Sequence, residues 1–154
     1  MPVAEMSTTE EQTLLLNAAK KAAKNAYIPY SKFSVGAALL TEDGSIITGC
    51  NVENASYGAT ICAERCALVK AVSEGYQKFK AIAIVTAHEK PGSPCGICRQ
   101  FMVEFGFYPV YLGSTTSDQV KITSVGELLP YAFTPKHIEE FENGTTEHSD
   151  VKPI

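Results

Sequence analysis

No stretch of the 154-residue chain holds the ~20 consecutive apolar residues that a membrane-spanning helix needs. Basic residues are outnumbered: 13 lysines and arginines stand against 17 aspartates and glutamates, for a net charge of −4. Gripping nucleic acid normally takes a basic stripe that neutralises phosphates, so that class is disfavoured. The first ten residues are partly acidic and lack a basic stretch followed by an apolar one, so they do not read as a signal peptide. Internal repeats are absent. Histidines are few, and His88, His137 and His148 stand outside every motif below, reading as surface residues rather than ligands. What is present is ordinary for a globular protein, with 45% apolar and 19% charged residues, and residues 1–154 read as one domain with a real core. Five cysteines is an odd count, better suited to a reducing compartment than to a disulfide framework. That points to the cytoplasm, with the nucleus also open. Asn143-Gly144-Thr145 matches a glycosylation sequon and, with no secretory signal, reads as chance.

The cysteines carry the chemistry. Cys62-Ala63-Glu64-Arg65-Cys66 is answered by Pro94-Cys95-Gly96-Ile97-Cys98. Thiolates are soft ligands for tetrahedral Zn²⁺, and a C-x-x-C pair can hold one edge of the tetrahedron. Cys62 is the natural further ligand. Two closures are open. Cys62 and Cys66, four apart on one helix face, could join Cys95 and Cys98 in a purely structural four-cysteine zinc module. Alternatively, Cys62, Cys95 and Cys98 leave a fourth position for water, and Glu64 stands beside it as a proton carrier. The closed site leaves Glu64 without a role, so the open one is favoured.

Local signals place these motifs. Ser7-Thr8-Thr9-Glu10 has the form of a capping box, and a helix should run to about Ala26, stopped by Pro29. Its lysines, Lys20, Lys21 and Lys24, read as a solvated face near the negative end of the dipole. Residues 35–40 and 45–50 are short apolar runs around Asp43-Gly44, a hairpin signal. Residues 51–59 read as a loop feeding a helix from near Cys62 to about Glu74, with Gly75 as its C-terminal glycine. Residues 81–86 read as a buried strand, 91–94 as a loop, 98–105 as a helix, 110–112 as a short strand and 124–129 as a brief helix. Alternating strands and helices imply an α/β fold with a mixed sheet covered on both sides. The tail from about residue 142 is polar and expected to be flexible.

The ordered set Cys-Ala-Glu…Pro-Cys-Gly-Ile-Cys-Arg-Gln, the Cys₃ variant of the zinc deaminase signature, resembles the cytidine deaminases of the small homotetrameric type. Further matches are Phe33-Ser34-Val35-Gly36-Ala37-Ala38, Gly49 through Tyr57, and Leu128 through Phe133, so the likeness spans residues 27–133. It implies a three-layer α-β-α sandwich around about five strands and one Zn²⁺ per subunit. It also implies hydrolysis of cytidine and deoxycytidine to uridine and deoxyuridine plus ammonia, in pyrimidine salvage. Cys62, Cys95 and Cys98 would hold the metal and Glu64 would move the proton. Three thiolates and Zn²⁺ sum to −1, a charge Arg65 would offset by reaching the sulfurs. Asn51 and Glu53 would take the sugar's 3′-hydroxyl, and a carboxylate there would disfavour a phosphate. Phe33, Ala55, Tyr57 and Ala63 would line the pocket, with Phe133 supplied by a neighbouring subunit. An aminonucleoside-antibiotic (blasticidin-type) deaminase and a polynucleotide-editing deaminase share this zinc chemistry, the latter against the acidic composition.

Overall fold

Alternation along two strands decides the layers. In the 35–41 strand Ala37 and Leu39 face one way while Ala38 and Leu40 face the other. In the 79–86 strand Ile82 and Ile84 oppose Ala81, Ala83 and Val85. Both strands are buried almost throughout, which requires cover on both faces of the sheet. The structure, a computed structural model, describes residues 8–144. Its elements are α1 (Thr8–Ala23), β1 (Val35–Thr41), β2 (Ile46–Cys50), a 3₁₀ turn (Tyr57–Ala59), α2 (Ala63–Ser73), β3 (Phe79–Thr86), α3 (Gly96–Val103), β4 (Pro109–Ser114), β5 (Lys121–Ser124), α4 (Val125–Leu128) and α5 (Pro135–Glu142). The five strands form one sheet in the order β2-β1-β3-β4-β5. Helix α1 covers one face through Leu15, Leu16 and Ala19. Helices α2 and α3 cover the other through Ala67, Leu68, Ala71 and Met102. This is the expected three-layer α-β-α arrangement around five strands.

Within this sheet β3 and β4 pair in parallel and the other pairs are antiparallel. A parallel pair needs a crossover, and α3 is that crossover, so its first turn leaves the carboxyl end of β3. The register brings more of the chain to the same edge. Val35 opposes Thr86 and Gly36 opposes Cys50. Phe33, Asn51 and the loop carrying Cys95 therefore converge at one end of the sheet. Gly49 lets α2 lie close to β2, since a Cβ there would meet the Ala63 carbonyl and the Ala67 amide at 2.5 Å.

Several boundaries differ from the sequence reading. Helix α1 ends at Ala23 rather than Ala26, and residues 24–26 continue as tight turns onto the carbonyls of Lys21, Ala22 and Ala23. Helix α3 begins at Gly96, ahead of the expected Cys98, because Cys95 is the cap. The capping box at Ser7 lies partly outside the described residues, as does most of the expected tail. Two elements went unassigned. Strand β5 is a four-residue edge with an exposed Lys121 and Ile122, too short for a period-2 signal. Helix α5 is capped by Thr134, Pro135 and His137, whose Nδ1 accepts from the Thr134 amide at 3.1 Å. A histidine stands where a capping box normally has Glu or Gln. Among the described residues no helix is long and apolar enough to cross a membrane.

Candidate metal centre

Cys62 and Cys95 are the N-caps of α2 and α3, in extended backbone at φ −69°, ψ 156° and φ −68°, ψ 165°. Their carbonyls accept the first helical bonds, from Cys66 and Arg99, each at 3.0 Å. Neither sulfur caps its own helix, so both are free to point toward one another. Cys98 joins them from the first turn of α3. The three Sγ atoms lie within 4.8 Å of one another, and Cys62 and Cys95 are 3.9 Å apart. Tetrahedral zinc with Zn–S near 2.3 Å spaces its sulfurs about 3.8 Å apart, so the group fits that ion. Cys66 lies outside it, which removes the four-cysteine reading.

The Cys62 and Cys98 thiols strongly perturb one another. The neighbouring Cys98 thiol and then the Arg65 guanidinium lower Cys62 to about 5, while closeness to Cys62 and burial push Cys98 well up. Without a metal, three adjacent sulfurs cannot all be anions. Arg65 spans two of them, donating from Nε to Cys98 Sγ at 3.4 Å and from Nη2 to Cys62 Sγ at 3.3 Å. The positive ends of α2 and α3 add to the field at the sulfurs.

Glu64 sits in the first turn of α2 and is only 4% exposed. Burial raises its carboxyl above the usual range, and Cys98 Sγ lies 3.6 Å from Oε2. A carboxyl that is costly to ionise, beside a three-thiol group, can both take and return a proton. Ala63, next to it in the chain, is fully buried in the core under α2.

Of the remaining expected residues, two hold backbone and four are exposed. Asn51, 9% exposed, donates from Nδ2 to the Phe33 carbonyl at 2.8 Å and accepts from the Val35 amide at 2.9 Å. Glu53 Oε1 accepts from the amides of Tyr30 and Ser31 at 3.0 and 3.1 Å. The Ser31 hydroxyl, with those amides, holds the Glu53 carboxyl below its ordinary range. Both residues thus organise the loop ending in Phe33, a role that alternation along the chain does not reveal. Phe33, Ala55 and Phe133 are exposed, and Tyr57 is 74% exposed with its ring 5.6 Å from that of Tyr30. His137 stacks on Phe133 at 5.7 Å.

Two residues of the second motif received no role from the sequence. Arg99 reaches the Pro94 carbonyl, the Leu128 carbonyl and the Ser93 hydroxyl, all at 2.8 Å. Gln100 donates to the Phe133 carbonyl at 2.9 Å. Their position directly after Cys98 was the available signal.

A buried carboxyl beside converging thiols, at the end of the sheet where β3 stops, defines the class of zinc hydrolases with three sulfur ligands. Residues 9–114 match the family described as the cytidine and deoxycytidylate deaminase zinc-binding region. A cytidine deaminase of Sporosarcina psychrophila is 53% identical over 126 residues, covering 80% of this chain and 92% of that protein. One from Halalkalibacterium halodurans is 51% identical over 132 residues, covering 84% and 99%. The crystal structure of cytidine deaminase from Burkholderia pseudomallei superposes with a TM-score of 0.76 at 50% identity, covering 83% of this chain and 100% of that one. The chain belongs to the cytidine and deoxycytidylate deaminase family.

Proposed function

We propose that the protein hydrolyses cytidine and deoxycytidine to uridine and deoxyuridine with release of ammonia, serving pyrimidine salvage. The observation that carries this reading is the buried Glu64 carboxyl beside the Cys62, Cys95 and Cys98 sulfurs. Cys62, Cys95 and Cys98 would hold the zinc, which would act as a Lewis acid and lower the pKa of water toward ~7. Glu64 takes a proton from the attacking water, whose oxygen adds to C4 of the base. It delivers that proton to N3, then carries the proton of the new C4 hydroxyl to the amine, so that the C–N bond breaks, ammonia leaves and the C4 carbonyl of uracil remains. One water enters and one ammonia leaves.

Arg65 offsets the negative charge of the thiolates, which would otherwise oppose loss of a proton from water. Phe33 presents an apolar wall to the base, on the loop that Asn51 and Glu53 hold. The Glu53 carboxylate and the Asn51 amide take the sugar hydroxyl, and the negative charge of Glu53 disfavours nucleotides. Ala55, Tyr57 and Ala63 complete the pocket. The exposed Phe133 serves a neighbouring subunit in a closed homotetramer, where its apolar ring would be covered. The protein is read as one cytoplasmic domain acting on free nucleosides, neither on nucleic acid nor at a membrane.

A panel following ammonia release from cytidine, deoxycytidine, cytosine, CMP and adenosine tests this. Release from the two cytosine nucleosides, with little from CMP or adenosine, is the expected result. Preference for CMP, or no release from either nucleoside, would overturn the substrate assignment.

A further inference from the structure

Arg99 is the point where three parts of the chain meet. Its backbone amide binds the Cys95 carbonyl at 3.0 Å. Its guanidinium holds the Pro94 carbonyl through Nε and the Ser93 hydroxyl through Nη2, both at 2.8 Å. The loop that delivers Cys95 is thus gripped on both sides of the sulfur. The third arm, Nη1, reaches the Leu128 carbonyl at 2.8 Å, 29 residues further along the chain. Gln100 then holds the Phe133 carbonyl at 2.9 Å. These two contacts bracket Tyr131, a bulky residue at φ 54° and 82% exposed. Left-handed backbone is unfavourable for such a residue and persists where its surroundings over-determine it. Little of the Tyr131 side chain is buried, and the carbonyls on either side of it are held by these two donors.

We propose that Arg99 and Gln100 couple occupancy of the metal centre to the placement of the 128–133 segment. A guanidinium is a rigid planar fork, so a shift at one arm misaligns the other two. A metal that fixes Cys95 also fixes Pro94 and Ser93, and through Arg99 the Leu128 carbonyl. By reciprocity, a well-placed 128–133 segment tightens metal binding. Arg99 is a positioning residue here and touches no reacting atom. The functional meaning of the coupling, an ordered Phe133 for a neighbouring base pocket, rests on the proposed shared site; the coupling itself does not.

The test uses the full chain, zinc-loaded and zinc-stripped, with hydrogen exchange at the amides of residues 129 and 131–133 and zinc release to a chromophoric chelator. In the wild type, stripping zinc should speed exchange in this segment about tenfold. Arg99→Lys keeps the charge and loses the fork. It should weaken zinc binding by about 10–100-fold, the usual cost of losing an outer-sphere partner, and make the segment's exchange insensitive to zinc. Ser93→Ala removes one arm and should shift both readouts the same way by less, which keeps a fold-intact variant in hand if Arg99→Lys does not fold. Wild-type exchange indifferent to zinc overturns the coupling, as does a folded Arg99→Lys with unchanged zinc binding and a zinc-sensitive segment. With Arg99→Lys unfolded, Ser93→Ala behaving as wild type has the same consequence. If instead the coupling is present but Phe133→Ala leaves KM for cytidine unchanged, the shared-site reading fails and the coupling stands.

Discussion

Phe33 and Phe133 each follow closely on a non-glycine residue in left-handed backbone, Lys32 at φ 58° and Tyr131 at φ 54°. Each has its carbonyl held by a side-chain amide, from Asn51 at 2.8 Å and from Gln100 at 2.9 Å. The difference lies in the anchors. Asn51 is buried and also satisfies the Val35 amide, which ties the Phe33 loop to the start of β1. Gln100 is exposed, at the surface of α3. A buried, doubly committed amide makes its loop part of the fold. An exposed one leaves its segment dependent on the reach of Arg99 to the Leu128 carbonyl. The Phe33 loop is therefore built into the fold, while the Phe133 segment hangs from donors on α3.

The largest break in this comparison should come from Asn51→Ala. It strands the Val35 amide and the Phe33 carbonyl, and each buried unsatisfied group costs about 1–3 kcal/mol. Chemical denaturation should show that loss, and kcat/KM for cytidine should fall with it. A variant as stable as the wild type would mean that the Phe33 loop is not fixed by this residue.

Phe133→Ala should leave folding stability almost untouched, since the ring is 59% exposed in the protomer, yet raise KM for cytidine. Mixing these chains with Glu64→Gln chains under conditions of proven exchange should restore a fraction of competent sites. An active monomer, or no complementation, would return the Phe133 wall to its own subunit or remove it.

Much of this site is legible in the sequence, and the reason is local. Cap positions, a C-x-x-C turn and a first-turn glutamate are set by spacings of two to four residues. They fix the local seats of Cys62, Glu64, Cys95 and Cys98, while the sheet brings the two motifs together. Arg65 is legible for the same reason, lying three residues from Cys62. The reach of Arg99 and Gln100 to carbonyls 29 and 33 residues away depends on where the topology returns the chain after β5. No short-range pattern encodes it. Asn51 and Glu53 were visible as polar residues on one side of an extended stretch. Their grip on the 30–35 backbone needed the β1–β2 register to be known. Strand β5 and helix α5 escaped because neither buries a continuous apolar face.

Gln100→Ala should have a smaller effect, about 0.5–1.5 kcal/mol for one net hydrogen bond, confined to exchange in the Phe133 segment. Global destabilisation on the scale of Asn51→Ala would erase the distinction between the two anchors.

The smallest expected difference is in acid. Glu53 has a depressed pKa in the folded protein, so its contribution to the Phe33 loop is present above the ordinary glutamate value. It is lost as pH falls through the folded value. Amide exchange at Tyr30 and Ser31, corrected for the intrinsic pH dependence, should lose protection over that window. Residues 131–133, anchored by an arginine and an uncharged amide, should keep theirs. Equal loss in both regions would point to a common acid-induced opening instead.

The central claim is that three thiolates and one dry carboxyl perform the deamination. Its most direct test is ammonia release from cytidine by zinc-loaded wild type and zinc-loaded Glu64→Gln, with bound zinc and melting temperature measured on the same samples. The wild type should turn over. The variant should carry equal zinc, melt at nearly the same temperature and lose at least the ~10²–10⁴-fold that acid–base catalysis supplies. Near-normal turnover in the zinc-loaded variant, or a zinc-loaded wild type that releases no ammonia from cytidine, would contradict it.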